Sequence, residues 1–155
     1  MDLDQQLQIL IDNAPNYGVP ALVIEKAIAP ALRIFAEQLK LSEYYILQNA
    51  TEDWVMFHLK NNPQQDFEKT VIYAFTSHQD AMRFNQKSDE EIVASSLPTT
   101  HILFRLFSVK QIDSIIFFNE VENFNQGIEL KRKDLQHSIQ QQLQKLTNNN
   151  TNNIA

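Results

Sequence analysis

Apolar residues recur along this chain in two rhythms, one at helical spacing and one in short continuous or alternating runs. Leu3, Leu7, Leu10 and Ile11 predict an amphipathic helix over residues 2–13, ending before the turn signal Asn13-Ala14-Pro15-Asn16-Tyr17-Gly18. From Ala21 to Leu41 a second helical pattern sets Ile28, Leu32, Phe35 and Leu39 on one stripe, widened by Leu22, Val23, Ile24 and Ile34. Pro30 lies inside it, which predicts a kink or a break into two pieces. A helix this apolar must be covered, either by the sheet or by another subunit.

Extended patterns follow. Tyr44–Gln48 and Trp54–Lys60 are rich in aromatic and branched residues around a turn at Asn49–Asp53, and read as a hairpin. Asn61–Asp66, with Pro63, reads as a loop. Thr70–Thr76 and Ser114–Asn119 are apolar on both faces and read as central strands. Ser77 followed by Asp80 has capping-box spacing and starts a short helix through about Gln86; Ser88 followed by Glu91 repeats the spacing. Ile92–Leu97 fits either a continued helix or a short strand before Pro98, and the strand is preferred. Thr99 or Thr100 then caps a helix carrying Ile102, Leu103, Leu106, Phe107 and Val109. Ile128 and Leu130 alternate with Glu129 and Lys131, as in a strand near the sheet edge, and Leu135, Ile139, Leu143 and Leu146 form a narrow stripe on a last helix. The asparagine-rich residues 147–155 read as a polar, disordered tail.

The expected fold is α/β, with α+β as the alternative: a mixed central sheet of about five or six strands with helices packed on it, preceded by an N-terminal helical segment. Residues 1–146 form one domain in this reading, helical over 1–41 and α/β over 43–146.

The pieces Tyr73-Ala74-Phe75-Thr76-Ser77, the helix with Ala81, the helix Ile102–Val109, the strand Ser114–Phe118 closing at Asn119, and Gly127-Ile128-Glu129-Leu130 together resemble the N-terminal domain of the SseB-like (enhanced serine sensitivity) family. The likeness covers the C-terminal two-thirds of the chain. Where the family tends to continue with Asn-Pro and a glycine, this chain has Asn119-Glu120 and inserts Val121-Glu122-Asn123-Phe124 before Gly127. The resemblance implies an α/β fold and a role usually described as uncharacterised, and it carries over no catalytic residue.

Composition narrows the chemistry. With two glycines in 155 residues, a P-loop or a dinucleotide fingerprint is excluded. The net charge of -6 and scattered basic residues, apart from Lys131-Arg132-Lys133, argue against nucleic-acid binding. The absence of cysteine removes disulfides and thiolate chemistry and fits a reducing compartment. No apolar run reaches bilayer-spanning length and the first residues carry acids rather than a basic leader, so a cytoplasmic, non-membrane protein is expected.

His58, His78, His101 and His137 share no metal-ligand spacing, so no metal or other cofactor is expected. Ser77 and His78, adjacent in a helix cap, do not form a nucleophilic pair, and no GxSxG elbow exists. Glu52-Asp53 and Asp89-Glu90-Glu91 sit in polar contexts and do not make a catalytic carboxylate pair. If the two central strands are parallel, Ser77, His78 and Asn119 meet at their C-terminal ends, where open α/β folds bind ligands. The simpler account is that Ser77 caps a helix, His78 is solvated in its first turn and Asn119 makes a turn.

The leading expectation is therefore a non-enzymatic protein-interaction or regulatory module, acting on a protein partner or by self-association as a homodimer. Its interface would be the stripe Ile28, Leu32, Phe35 and Leu39. The alternative is a small-ligand protein, for an anion or metabolite, or a weak enzyme using the edge near Ser77, His78 and Asn119.

Overall fold

A computed structural model describes residues 1–60, 68–85 and 91–152. The expected loop 61–66, the helix end at Gln86, the cap at Ser88 and the last residues of the expected tail lie outside the described residues. Helix α1 (Leu3–Asp12) opens with a reciprocal capping box between Asp2 and Gln5. The expected turn after it contains a single helical turn, α2 (Ala14–Tyr17), stopped by Gly18 at φ 68°.

The second helical segment runs as α3 (Ala21–Val23), a π-helical turn (Ile24–Ile28) and α4 (Ala29–Ala36). Pro30 has no N–H to give to a carbonyl four residues back, and just before it the ladder widens, Ala29 N–H bonding the Ile24 carbonyl. The chain is re-registered here rather than split.

Six strands form one mixed sheet: β1 (Glu43–Gln48), β2 (Phe57–Leu59), β3 (Lys69–Phe75), β4 (Val93–Pro98), β5 (Ser114–Glu120) and β6 (Asn123–Lys131), in the order β4-β1-β3-β5-β6 with β2 on β3. The two doubly apolar segments, β3 and β5, are parallel central neighbours, with Val71 opposite Ser114 and Ala74 opposite Phe117. All the other pairings are antiparallel. The strand preferred for Ile92–Leu97 is formed as β4, beginning at Val93 and ending at Pro98, and it lies along the whole of β1.

The expected hairpin of residues 44–48 and 54–60 is not formed as such. Only an isolated bridge joins Gln48 to Trp54, and β1 and β2 instead pair with successive stretches of β3, at Phe75–Ala74 and at Val71–Lys69. The cause is the excursion between them. Asn49 Oδ1 accepts from the amides of Thr51 and Asp53, and Glu52 takes φ 65°, which makes a loop that returns the chain to the same edge of β3.

Helices α5 (His78–Phe84), α6 (Thr99–Ser108) and α7 (Arg132–Asn152) complete the fold. Helix α7 continues through Asn152, past the point where the polar tail was expected to begin at 147. Its first turns are anchored by buried Leu135 and Ile139, and each further residue adds one ladder bond to an existing helix.

One core lies between the sheet and α1, the π turn, α4, α6 and α7, where Tyr44, Ile46, Ile72, Ala74, Ile115 and Phe117 meet the helices. The stripe expected as a subunit interface is part of it. Ile28, Leu32 and Leu39 are buried and Phe35 is half-buried, because α7 packs across the π turn and α4 and fills that face from within the chain. The large apolar side chains of the segment that are exposed are Leu22, Ile34 and Leu41 instead. Among the described residues no helix is long and apolar enough to cross a membrane.

Candidate functional site

The C-terminal ends of β3 and β5 do lie side by side, so Asn119 falls at the level of Thr76 on the neighbouring strand. Ser77, extended at φ -142°, caps α5 by accepting the Asp80 amide at 3.1 Å. His78 is exposed, its ring edge-on to Tyr45 with centroids 6.0 Å apart. Asn119 is half-buried at a register shift, where residues 124–126 bulge between the pairs Phe118–Gly127 and Glu120–Asn123. A shallow recess beside them is lined by His78, Gln79, Met82 and Arg83.

Asp80 has a role that capping-box spacing does not foretell. It is 2% exposed, and its Oδ2 accepts the amide of Glu122 at 2.7 Å, while Arg83 pairs with the Glu122 carboxylate at 3.2 Å. The turn between β5 and β6, with Glu122 at φ 62°, is thereby strapped to α5. Asp80 Oδ1 and Thr76 Oγ1 are buried with no hydrogen-bond partner among the described residues.

This strap brings the second face of the sheet together. Leu47, Phe75, Ala81, Ile92 and Phe118 form a small buried cluster there, with Phe57, Tyr73 and Ile116 half-buried around it. Tyr73 stacks on Phe118 with rings 5.7 Å apart and 8° from parallel, Phe57 meets Tyr73 edge-on at 5.0 Å, and Phe84 and Phe124 meet at 5.6 Å. Phe84 and Phe124 are each 36% exposed. Burial raises the Tyr73 hydroxyl above its ordinary range, so it stays protonated. At the rim Glu129 bonds Lys69 and accepts from Ser114 at 2.7 Å. Burial alone would raise its carboxyl, but the bonds from Lys69 and Ser114 and the charges of Lys69 and Lys131 hold it below the usual carboxylate range.

A second polar node lies under the helices. Gln6 is fully buried, its Oε1 accepting from the amide and hydroxyl of Thr100 at 3.0 and 2.9 Å and its Nε2 donating to the carbonyls of Ser42 and Met1. The expected capping of α6 by Thr99 or Thr100 does not occur. Pro98 holds the cap position without a side-chain bond, Thr99 donates to the Leu41 carbonyl, and Gln6 satisfies the helix end from another element. Gln6 falls on the stripe Leu3, Leu7, Leu10, so a polar residue on an apolar face was the available signal.

Of the other histidines, His58 is exposed beside Thr70 and His137 is exposed on α7, while His101 is half-buried. Among the described residues no group of three His, Cys, Asp or Glu side chains could hold a metal ion. Compared with known family profiles and with curated proteins, the chain matches none.

Proposed function

We propose that this chain is a non-enzymatic protein-interaction or regulatory module of the SseB-like type, and that it contacts its partner through the aromatic face of the sheet. The observation that carries this reading is the unequal cover of the two sheet faces. Five helical elements roof one face, whereas the seven-residue α5 and the β5–β6 turn leave Phe57, Tyr73, Phe84 and Phe124 partly open on the other. Rigid aromatic side chains supply contact area at low entropic cost, which is why they are enriched at interfaces.

The edge at Ser77, His78 and Asn119 supports a ligand reading less well. The Ser77 hydroxyl already serves the helix cap, and the recess beside it is shallow. Partner capture on the intact chain followed by mass spectrometry tests the interaction reading, with Phe124→Ser as the control because that ring is already partly in water. The expected result is a partner, or a concentration-dependent dimer in light scattering, that the variant loses while keeping its circular dichroism. The same association by both proteins, or none by either, overturns it. A rise in melting temperature with an anion or metabolite would favour the ligand reading.

A further inference from the structure

We propose that β4 is an open sheet edge that adds to β4 of a second copy of this chain, antiparallel about a two-fold axis, so that two sheets continue into one. The direction of each backbone group along β4 follows from its last residues. Thr99 donates its N–H to the Ser42 carbonyl at 2.9 Å, in the same register that sets Leu97 opposite Tyr44 and Val93 opposite Gln48. Antiparallel pairs exchange bonds at every second residue, so Leu97, Ser95 and Val93 turn their backbone groups toward β1. Ala94 and Ser96 therefore turn both N–H and C=O outward, where among the described residues no further strand pairs with β4.

This edge lacks the usual defences against pairing. Val93-Ala94-Ser95-Ser96-Leu97-Pro98 carries no charge, and its proline comes last, where it takes no N–H from Ala94 or Ser96. The Ser96 hydroxyl is committed to Glu43 Oε2 at 2.6 Å, which leaves the Ser96 backbone untouched. The opposite edge is blunted, because β6 carries Glu129 and Lys131 and is bulged at the register shift opposite Phe118–Glu120. Strand β2 is only three residues long. Of these, β4 is the edge that can template another strand.

The strand's own sequence selects a second copy as the occupant. With Ser95 on the two-fold axis, Ala94 lies opposite Ser96 of the second copy, and this pair and its symmetry mate exchange N–H to C=O bonds in both directions. Val93 then lies opposite Leu97 of the second copy, on the face where Leu97 packs at the margin of the main core. Val93 is 55% exposed in the single chain, and the seam gives it an apolar neighbour in each copy. Ser95 meets its own symmetry mate, so no charge faces a charge along the seam although the chain as a whole carries -6. A strand of unrelated sequence would satisfy the same backbone groups without these matches.

Analytical ultracentrifugation of the full chain, with amide exchange by NMR across the same concentrations, tests the seam. A monomer–dimer equilibrium is expected, in which the Ala94 and Ser96 amides exchange freely at low concentration and gain protection as the dimer forms. Ser96→Pro, which removes one outward N–H from an edge strand, should lose the dimer, whereas Ser96→Ala, which removes only the hydroxyl, should keep it. A monomer at every concentration, a dimer that both variants keep or both lose, or protection that rises elsewhere and not at Ala94 and Ser96 overturns the proposal. Should Ser96→Pro not fold, Val93→Lys takes its place, since that side chain is largely in water in the single chain and meets Leu97 of the second copy only in the seam. Strands β4 and β6 are opposite edges of the sheet, so Phe124→Ser leaves this dimer intact, and association through the aromatic face is read in the background of the edge variant.

Discussion

The two faces of this sheet use the same strands with opposite residues of each, yet they are finished differently. On the helical side, Ile72, Ala74, Ile115 and Phe117 meet α1, the π turn, α4, α6 and α7 in one buried cluster that leaves little to solvent. On the other side Tyr73, Phe75, Ile116 and Phe118 meet a single short helix, and the gap is filled by aromatic rings from Phe57, Phe84 and Phe124. Alternation along a strand settles that both faces are apolar, but it does not say how much cover each receives. The difference separates a face that stabilises from one that remains available.

The comparison breaks most plainly in the core. Phe117→Ala on the helical side should cost about 3–5 kcal/mol, because a closed site cannot collapse around the lost ring. Phe57→Ala on the half-open side should cost about half as much, since part of that ring is already in water. Urea unfolding followed by Trp54 fluorescence measures both. Equal losses would show that the second face is as well packed as the first.

The polar nodes of the two sides sharpen it further. Gln6→Ala strands the Thr100 amide and hydroxyl and two carbonyls on the helical side, and should cost about 2–4 kcal/mol in the same assay. Asp80→Ala on the aromatic side removes the acceptor for Glu122 and should cost about 1–3 kcal/mol. Asp80→Asn should cost less, because its amide oxygen can still accept that N–H. Accelerated exchange confined to the β5–β6 turn would identify the strap as local.

Smallest is the rim. Glu129 is less basic in the folded chain than in the unfolded one, so its contribution is complete above the unfolded carboxyl value and disappears as pH falls through the lower folded value. At 32% side-chain exposure the effect should be below about 1 kcal/mol. Glu129→Gln should therefore flatten the acid limb of stability against pH slightly and leave the neutral region lower by the same amount.

Much of the architecture is visible in the residues themselves. Ile115-Ile116-Phe117-Phe118 has no polar side to offer water, so β5 had to be central, and Ile128-Glu129-Leu130-Lys131 has one, so β6 could stand at the edge. Local rules misjudged places where a side chain answers to a distant partner. Asp80 was read as a reciprocal cap three residues from Ser77, but its buried oxygen serves an amide 42 residues away. Thr99 or Thr100 was read as a cap, but the Thr100 amide and hydroxyl instead donate to Gln6 Oε1. The stripe Ile28, Leu32, Phe35 and Leu39 correctly signalled burial and was silent on what buries it.

Periodicity and turn chemistry alone therefore determined the kinds of element, the mixed α/β class and the two central strands, because those depend on which side of each segment can face water. Tertiary structure alone decided that β1 and β2 share one edge of β3, that α7 covers the N-terminal stripe, and that one sheet face stays partly open. These are choices among partners of similar apolarity, and they are made by chain connectivity and shape, which short-range patterns do not encode.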